Sequence, residues 1–331
     1  MIHVLAYERD YLMKRLGQPT HLQPENRQTL AEAAEKIKAV LSLILGGDKV
    51  AAEYCLVSLI SRVYKSEAAF MIGALPLNLT QITSEQAQLM QKFLMSLCPR
   101  LAIFESTVPS LNETCWQPKK SYETNRVCSS VLGELPILSN LVIDETCMEV
   151  GELKEQGINN LKAIGELIED QKITFDFQYS HSEMKTNVAV LVLGNGRSMF
   201  KNTLQMVCQG SSFHSAEVKS KIAAVTSDSE TMAQLRTAFT SLTYHYAKTT
   251  SDFNILADVG DHAQSVFVEM RKQEADAGGV KTDDSCFHRW LTLARYLTLL
   301  DGELNLTKEL FDRALKLETN RVNRLPPAAK K

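Results

Sequence analysis

The order of hydrophobic and polar positions along the 331 residues predicts strands that alternate with helices, followed by a helical region. Short apolar or alternating runs indicate strands, and apolar residues spaced three and four apart indicate amphipathic helices. Residues 1–10 alternate as an edge strand would, residues 15–30 and 108–125 have the polar, proline-containing composition of loops, and 149–160 form an acidic connector. We predict further strands at 70–79, 101–105, 140–144, 171–179, 186–193 and 204–207. We predict helices from about residue 27 and at 51–64, 84–97 with Ser84 as its N-cap, 124–132, 161–169, 215–225, 229–248, 257–275, 283–300 and 307–322.

This alternation predicts an α/β protein with a parallel-rich sheet between helical layers. We divide the chain into an N-terminal edge strand and loop (1–30), an α/β core (31–210), a helical region ending in a bundle (211–325) and a basic tail (326–331). For the proline-bearing tail we expect a solvated chain end rather than a nucleic-acid contact.

Composition and charge narrow the classes of function. The formal net charge of −3 argues against binding nucleic acid by bulk charge, although a local patch stays open. No apolar run approaches the roughly 20 residues that span a bilayer, and the first residues lack the features of a signal peptide. The seven cysteines are scattered, with no Cys-x-x-Cys pair, which favours free thiols in a reducing compartment and argues against zinc.

In the segment 140–146 (NLVIDET) a short apolar run ends in adjacent carboxylates, Asp144 and Glu145. This pattern predicts a buried parallel strand whose end reaches the edge of the sheet where α/β proteins bind ligands. A nucleotide hydrolase uses such a pair to hold Mg²⁺ and to orient water. The alternative is a strand followed by a helix whose first turn favours negative charge.

A phosphate-binding loop would be expected after an apolar run and before a helix, and Gly46-Gly47 occupies such a position. A working loop needs Gly-Lys-Ser or Gly-Lys-Thr at the start of the helix. Here Lys49 follows Asp48, no hydroxyl comes next, and Glu53 adds negative charge. Lys281-Thr282 has the wrong spacing. We therefore expect no ATP cradle.

Several long segments resemble the minichromosome maintenance (MCM) complex-binding protein family. They are residues 46–64 (GGDKVAAEYCLVSLISRVY), 122–126 (YETNR), 140–146 (NLVIDET) and 267–272 (FVEMRK), in the same order from about residue 2 to 325. Members of that family usually carry a further amino-terminal region, so the resemblance implies a carboxy-terminal part or a shortened relative.

A weaker resemblance is to the replicative helicase ATPases of the AAA+ class. Residues 143–145 and 161–174 look like their Walker B strand and the insert after it, 190–195 like the sensor-1 strand with its terminal Asn195, and 287–300 with 307–318 like their lid. No convincing arginine finger lies between 197 and 215. The resemblance implies a degenerate AAA+ core in three layers with a helical lid, in which Gly47, Asp48, Asp144, Glu145 and Asn195 are vestigial nucleotide-site positions.

The resemblance implies a non-catalytic partner of MCM helicase subunits that mimics a neighbour in the ring. It implies a nuclear role in assembling, protecting or unloading that complex during DNA replication, and in sister-chromatid cohesion. We expect no catalytic residue, cofactor or metal, an indirect association with chromatin, and no membrane association. The rival hypothesis is a residual ATPase that uses Asp144, Glu145 and Asn195 with a non-standard loop at Gly46-Gly47. A third, an α/β domain unrelated to replication, requires the long matches to be accidental.

Overall fold

The structure, a computed structural model, describes residues 24–66, 71–200, 204–211, 213–246, 253–277 and 284–326. The predicted edge strand at 1–10 and residues 327–331 of the predicted tail lie outside them. The helices are α1 Pro24–Ile44, α2 Lys49–Ile60, α3 Ser84–Leu97, α4 Val108–Glu113, α5 Val131–Glu134, α6 Glu155–Asp170, α7 Ser215–Ser227, α8 Ser229–Thr240 with a π-helical turn Ser241–Tyr246, α9 Ala257–Ala277, α10 Asp284–Leu300 and α11 Lys308–Arg324. The strands are β1 Lys65–Ser66, β2 Met71–Ile72, β3 Leu77–Thr80, β4 Leu101–Glu105, β5 Lys120–Ser121, β6 Arg126–Val127, β7 Asn140–Asp144, β8 Lys172–Asp176, β9 His181–Lys185, β10 Ala189–Leu193, β11 Leu204–Val207, β12 Asn254–Ile255 and β13 Asn305–Leu306.

The main sheet is parallel and contains five of the described strands, in the order β11-β3-β10-β7-β4. Numbered by their succession along the chain, these strands lie in the order 5-1-4-3-2. In the central pairings Leu193 and Glu105 lie on either side of Asp144. Since the strands are parallel, their last residues meet at one edge, which we call the carboxyl edge.

The sheet separates two hydrophobic clusters, which confirms the predicted α/β architecture with helical layers. Alternate residues of β7 point to opposite sides, so that Val142 joins one cluster while Leu141 and Ile143 join the other. The larger cluster takes in α1, α2, α3 and the carboxy-terminal helices, and the smaller one takes in α4, α6 and Trp116. The fold therefore has three layers, with the sheet in the middle and helices on each of its two sides.

A buried arginine fastens α2 to the opposite, amino edge of the sheet. Arg62 is 1% exposed, and its guanidinium donates to the side chain of Asn140 and to the carbonyl oxygen of Leu138. Its backbone amide donates to the Tyr296 hydroxyl of α10 at 2.8 Å. Hydrogen bonds thus hold the start of β7, the end of α2 and α10 together.

Several sequence-based boundaries were wrong. Residues 24–30, predicted as loop, belong to α1, and the acidic connector yields to α6 from Glu155 onward. The segment 108–125 was predicted to be a surface loop, but it contains α4 and the fully buried Trp116. The helix predicted at 124–132 is wrong because Arg126–Val127 pairs with Lys120–Ser121 as a hairpin. The strand predicted at 171–179 exists as β8, but it pairs with β9 outside the main sheet.

Candidate functional site

Asp144, the last residue of β7, is the most deeply buried acid of the carboxyl edge. It is 2% exposed. Its Oδ2 accepts a hydrogen bond from Gln91 Nε2 of α3 at 2.6 Å, and its Oδ1 accepts from the backbone amide and the hydroxyl of Thr146 at 2.9 and 2.7 Å. Both oxygens are therefore occupied by neutral donors of the protein itself, in the place where an ATPase would present them to Mg²⁺.

Glu145 is likewise held within the fold. Its Oε1 accepts a hydrogen bond from the Ser198 hydroxyl at 2.8 Å, and its backbone amide donates to the carbonyl oxygen of Leu193. Burial raises the pKa of this carboxyl, while the bonds from Ser198 and the Met199 amide partly oppose the rise. Ser198 thus fixes the side chain that would have to orient water in a hydrolase.

Asn195 lies two residues beyond β10, the strand next to β7. Its side chain is exposed. Its carbonyl oxygen accepts from the Gln81 amide at 3.3 Å, and the carbonyl oxygen of Gly194 accepts from the Ile82 amide at 3.1 Å. The turn after β10 is therefore joined through its backbone to the segment that follows β3.

That segment, Gln81 to Thr83, joins the first strand of the sheet to α3, and a strand-to-helix connection of this kind is where a phosphate loop would be expected. It has only three residues between Thr80 and Ser84. A phosphate loop of the Gly-x-x-x-x-Gly-Lys-Ser/Thr type needs about eight residues. The amides of Gln81 and Ile82 already donate to the turn after β10. The connection is too short, and its amides too engaged, to enclose a triphosphate.

The amino terminus of α3 is capped by its own side chains. Thr83, not the predicted Ser84, is the N-cap: its hydroxyl accepts from the Gln86 amide, and the Gln86 side chain accepts from the Thr83 amide at 3.0 Å. This capping box satisfies donors that would otherwise bind an anion. Glu85 adds negative charge in the first turn, and a hydrogen bond from Lys219 at 2.7 Å lowers its pKa.

Gly46 and Gly47 do not form a phosphate loop, which corrects their interpretation as a vestigial one. They follow a helix rather than a strand and end α1 in a Schellman motif, with the Gly47 amide donating to the Ser42 carbonyl at 2.8 Å and Gly46 at φ +68°. Gly46 also lies against Gly210, where a Cβ would come within 1.8 Å of the Leu45 carbonyl oxygen. The two glycines permit a close backbone crossing.

Asp48 is a junction between three elements. Its Oδ1 caps α2 by accepting from the Ala51 amide at 3.0 Å. Its Oδ2 accepts from the Gln209 amide, just past β11, at 2.9 Å and from Arg324 Nη1, at the end of α11, at 2.6 Å. These contacts give Asp48 a structural role that does not require a bound nucleotide.

The arrangement favours rigidity over catalysis. Asp144, Glu145 and Asp48 lie near the carboxyl edge, but each is hydrogen-bonded to protein donors. Sequence reasoning missed Gln91, Ser198 and the capping residues Thr83 and Gln86. The Thr-Ser-Glu-Gln sequence of the capping box is a visible signal, whereas the partners at 91 and 198 are distant in sequence and carry none.

The described residues hold no group of three or more His, Cys, Asp or Glu side chains placed to bind a metal ion. Within the same residues, no helix is both long and apolar enough to cross a membrane.

The family model of the mini-chromosome maintenance replisome factor matches residues 1–325. The chain belongs to this family. It is 32% identical over 98% of its length to the mini-chromosome maintenance complex-binding protein of Drosophila melanogaster, and 30% identical over 98% to that of Gallus gallus. For the Homo sapiens protein the identity is 30% over 89% of the chain. These matches cover 52%, 51% and 45% of the relatives, so the chain spans about half their length.

The resemblance seen in the sequence is thus confirmed at the level of the family. In the structure, the segment 46–64 that carries much of it forms the end of α1, α2 and the Arg62 contacts, and most of its side chains are buried. In this chain the segment therefore forms part of the hydrophobic core rather than an exposed binding surface.

Proposed function

We propose that this chain is a non-catalytic binding partner and regulator of the MCM helicase complex. It acts in the nucleus during DNA replication, in assembling, protecting or unloading MCM subunits and in sister-chromatid cohesion, and its association with chromatin is indirect. Membership of the family and the printed names of the relatives support binding to MCM proteins.

The proposal includes an origin of the fold in the AAA+ class, with α10 and α11 as its lid. The parallel order 5-1-4-3-2 supports it, since this is the order of the sheet in those ATPases. The neighbouring positions of Asp144 and Asn195 support it as well. A module of this shape offers helicase subunits a neighbour-like surface.

The observation that carries the non-catalytic part is the three-residue connection between β3 and α3. Without a loop of backbone amides and its lysine, several charge-assisted hydrogen bonds to phosphate are missing, each worth roughly 1.5–3 kcal/mol. The rival function, a residual ATPase, would have to bind triphosphate without them.

Capture of MCM subunits tests the binding partner. The full chain, immobilised and incubated with nuclear extract, is expected to retain MCM subunits with or without added ATP. Glu145→Gln is the matched variant, because it preserves size and the Ser198 contact while abolishing any hydrolysis that depends on this carboxylate. Equal capture by both forms supports the proposal, and recovery of no MCM subunit contradicts it.

Titration calorimetry with Mg-ATP tests the rival. We expect no saturable heat and no phosphate release above the buffer blank. Saturable binding, together with turnover that disappears in Glu145→Gln, would establish an ATPase instead.

A further inference from the structure

Two hairpins outside the main sheet are braced against each other and present a pair of tyrosines. The backbone amide of Asp176 in β8 donates to the carbonyl oxygen of Pro118 at 2.9 Å, just before β5. The Tyr122 hydroxyl donates to the Phe177 carbonyl oxygen at 2.7 Å. The rings of Tyr122 and Tyr179 meet edge to face, with their centroids 5.7 Å apart. Each tyrosine is thus held by the other hairpin.

Both rings remain open to solvent although they are fixed. Tyr122 is 49% exposed and Tyr179 is 84% exposed. Scattered exposed aromatics need no explanation, but here a hydrogen bond and a ring contact hold two of them side by side. About half of the surface of Tyr122 and most of that of Tyr179 can therefore be reached by a ligand.

The charges around the rings are mainly positive. Lys119, Lys120 and Arg126 flank Tyr122 in sequence, against one acid, Glu123. Lys120 Nζ lies 4.9 Å from the Tyr122 ring centroid. None of the three cations forms an ion pair with another residue that the structure describes. We call Tyr122, Tyr179 and Lys120 the two-tyrosine face, and Lys119 and Arg126 lie next to it in the chain, just before the first strand and within the second strand of the same hairpin.

The acidic side chains Asp176 and Glu183 of the neighbouring hairpin, β8–β9, form contacts within that hairpin. Asp176 accepts from the Gln178 amide at 2.8 Å and lies 3.7 Å from His181 Nδ1, and Glu183 pairs with Lys172 at 3.0 Å. The face therefore carries local positive charge on a chain whose net charge is −3.

We propose that the two-tyrosine face binds single-stranded nucleic acid. Exposed aromatic rings stack on bases whatever the sequence, and nearby Lys and Arg neutralise the phosphates. An acidic protein segment would use the cations but not the open ring faces, so the stacking geometry favours nucleic acid. The small number of cations at these two hairpins predicts weak, salt-sensitive binding with little sequence preference.

This activity is distinct from the proposed partnership with MCM subunits. The hairpin β8–β9 leads into the first residue of β10, so the face lies on the amino side of the sheet, away from Asp144 and the carboxyl edge. Loss of nucleic-acid binding would leave the proposed partnership with MCM subunits untouched, and the reverse also holds.

Fluorescence anisotropy with a labelled oligo-dT of about 20 nucleotides at low salt tests the inference on the full chain. We expect saturable binding that weakens as salt rises. Tyr122→Ala with Tyr179→Ala should weaken it roughly tenfold or more, whereas Tyr179→Phe should retain it because the ring still stacks. Lys119→Glu with Lys120→Glu should weaken it at least as much.

The matched charge control is Lys316→Glu, since Lys316 is exposed on α11 far along the chain. A single Lys119→Glu should weaken binding more than this control, although both change the net charge equally. No saturable anisotropy change, or equal effects of Lys119→Glu and Lys316→Glu, would overturn the proposal. Binding of a fluorescent poly-glutamate peptide without binding of oligo-dT would also overturn it and identify an acidic protein ligand instead.

Discussion

At the scale of single residues, the acids that the sequence offers as catalytic serve as structural contacts. Asp144 and Glu145 each accept bonds from protein donors, and Asp48 joins α2, β11 and α11. Burying a carboxylate is unfavourable unless its oxygens are hydrogen-bonded. The donors provided by Gln91, Ser198 and Arg324 make these buried acids compatible with stability.

Asp48→Ala is expected to lower the free energy of unfolding by about 2–4 kcal/mol. It removes the helix cap, leaves the Gln209 amide without its acceptor and leaves the partly buried Arg324 without its carboxylate. Urea denaturation followed by circular dichroism measures the loss. The matched control is Asp228→Ala, an exposed cap of α8, for which we expect about 1 kcal/mol. Equal losses in the two variants would contradict the role of Asp48 as a junction.

Glu318 should make stability depend on acid pH. Burial opposes its ionisation, but hydrogen bonds and positive charge from Arg321, with the charge of Arg289, outweigh burial and lower its pKa to about 2 from 4.5. The folded state therefore binds this proton less readily than the unfolded state. The stabilisation is fully present above pH 4.5 and is lost as the pH falls from 4.5 towards 2, by on the order of 3 kcal/mol.

Denaturation of the wild type and of Glu318→Gln at several pH values between 2 and 6 measures this contribution. The difference in stability between the two proteins should shrink as the pH falls through this window. A difference that stays constant would show that Glu318 does not titrate as its contacts imply.

At the scale of elements, one close approach between backbone segments constrains the chain more than residue composition suggests. Gly210 lies against the turn after α1, so Gly210→Ala is expected to cost more than 3 kcal/mol, because the new Cβ would overlap the Leu45 carbonyl. Gly165→Ala in α6 is the matched control. Nothing lies within 4 Å of its added Cβ, and we expect a gain of about 0.5–1 kcal/mol. Thermal melts of both variants test the pair, and a tolerated Gly210→Ala would disprove the close crossing.

The elements that sequence predicted well have strong local patterns. The bounds of α3, β4 and β11 agree with the prediction, because their apolar spacing is regular and prolines or polar turns delimit them. The predictions failed where contacts between residues distant in the sequence determine the structure. Trp116 is buried because Phe104 packs edge-on against it at 4.3 Å, and residues 126–127 become a strand because 120–121 lie opposite. Gln91, which binds Asp144, and Ser198, which binds Glu145, are equally distant in sequence, so the sequence identified the acids but not these donors.

At the scale of the whole molecule, one core crosses the predicted boundary at residue 210. The larger hydrophobic cluster combines Leu41, Leu56 and Leu191 with Tyr296 and Phe311. The Tyr296 hydroxyl oxygen also lies 2.9 and 2.8 Å from the carbonyl oxygens of Arg62 and Gly73, which share its single proton as acceptors. The division into an α/β core and a helical region therefore describes the sequence pattern and not two separate hydrophobic cores. We expect the two parts to unfold together.

A single cooperative transition is expected in urea, with the same midpoint by tryptophan fluorescence and by far-ultraviolet circular dichroism. Tyr296→Phe should lower that midpoint for both probes equally, since it removes hydrogen bonds that join α10 to the amino edge of the sheet. Two separated transitions, or a shift in one probe alone, would show that the helical region folds as its own unit.

The three-residue link between β3 and α3 has a consequence for design and for evolution. Substituting side chains cannot create a triphosphate-binding loop there, because the main chain between the strand and the helix is too short and the amides of Gln81 and Ile82 already donate to the turn after β10. A triphosphate-binding loop at this position would require an insertion of several residues that also frees those amides from their present acceptors. A relative with ATPase activity should be sought among those in which this link is longer, rather than among those in which only its composition differs.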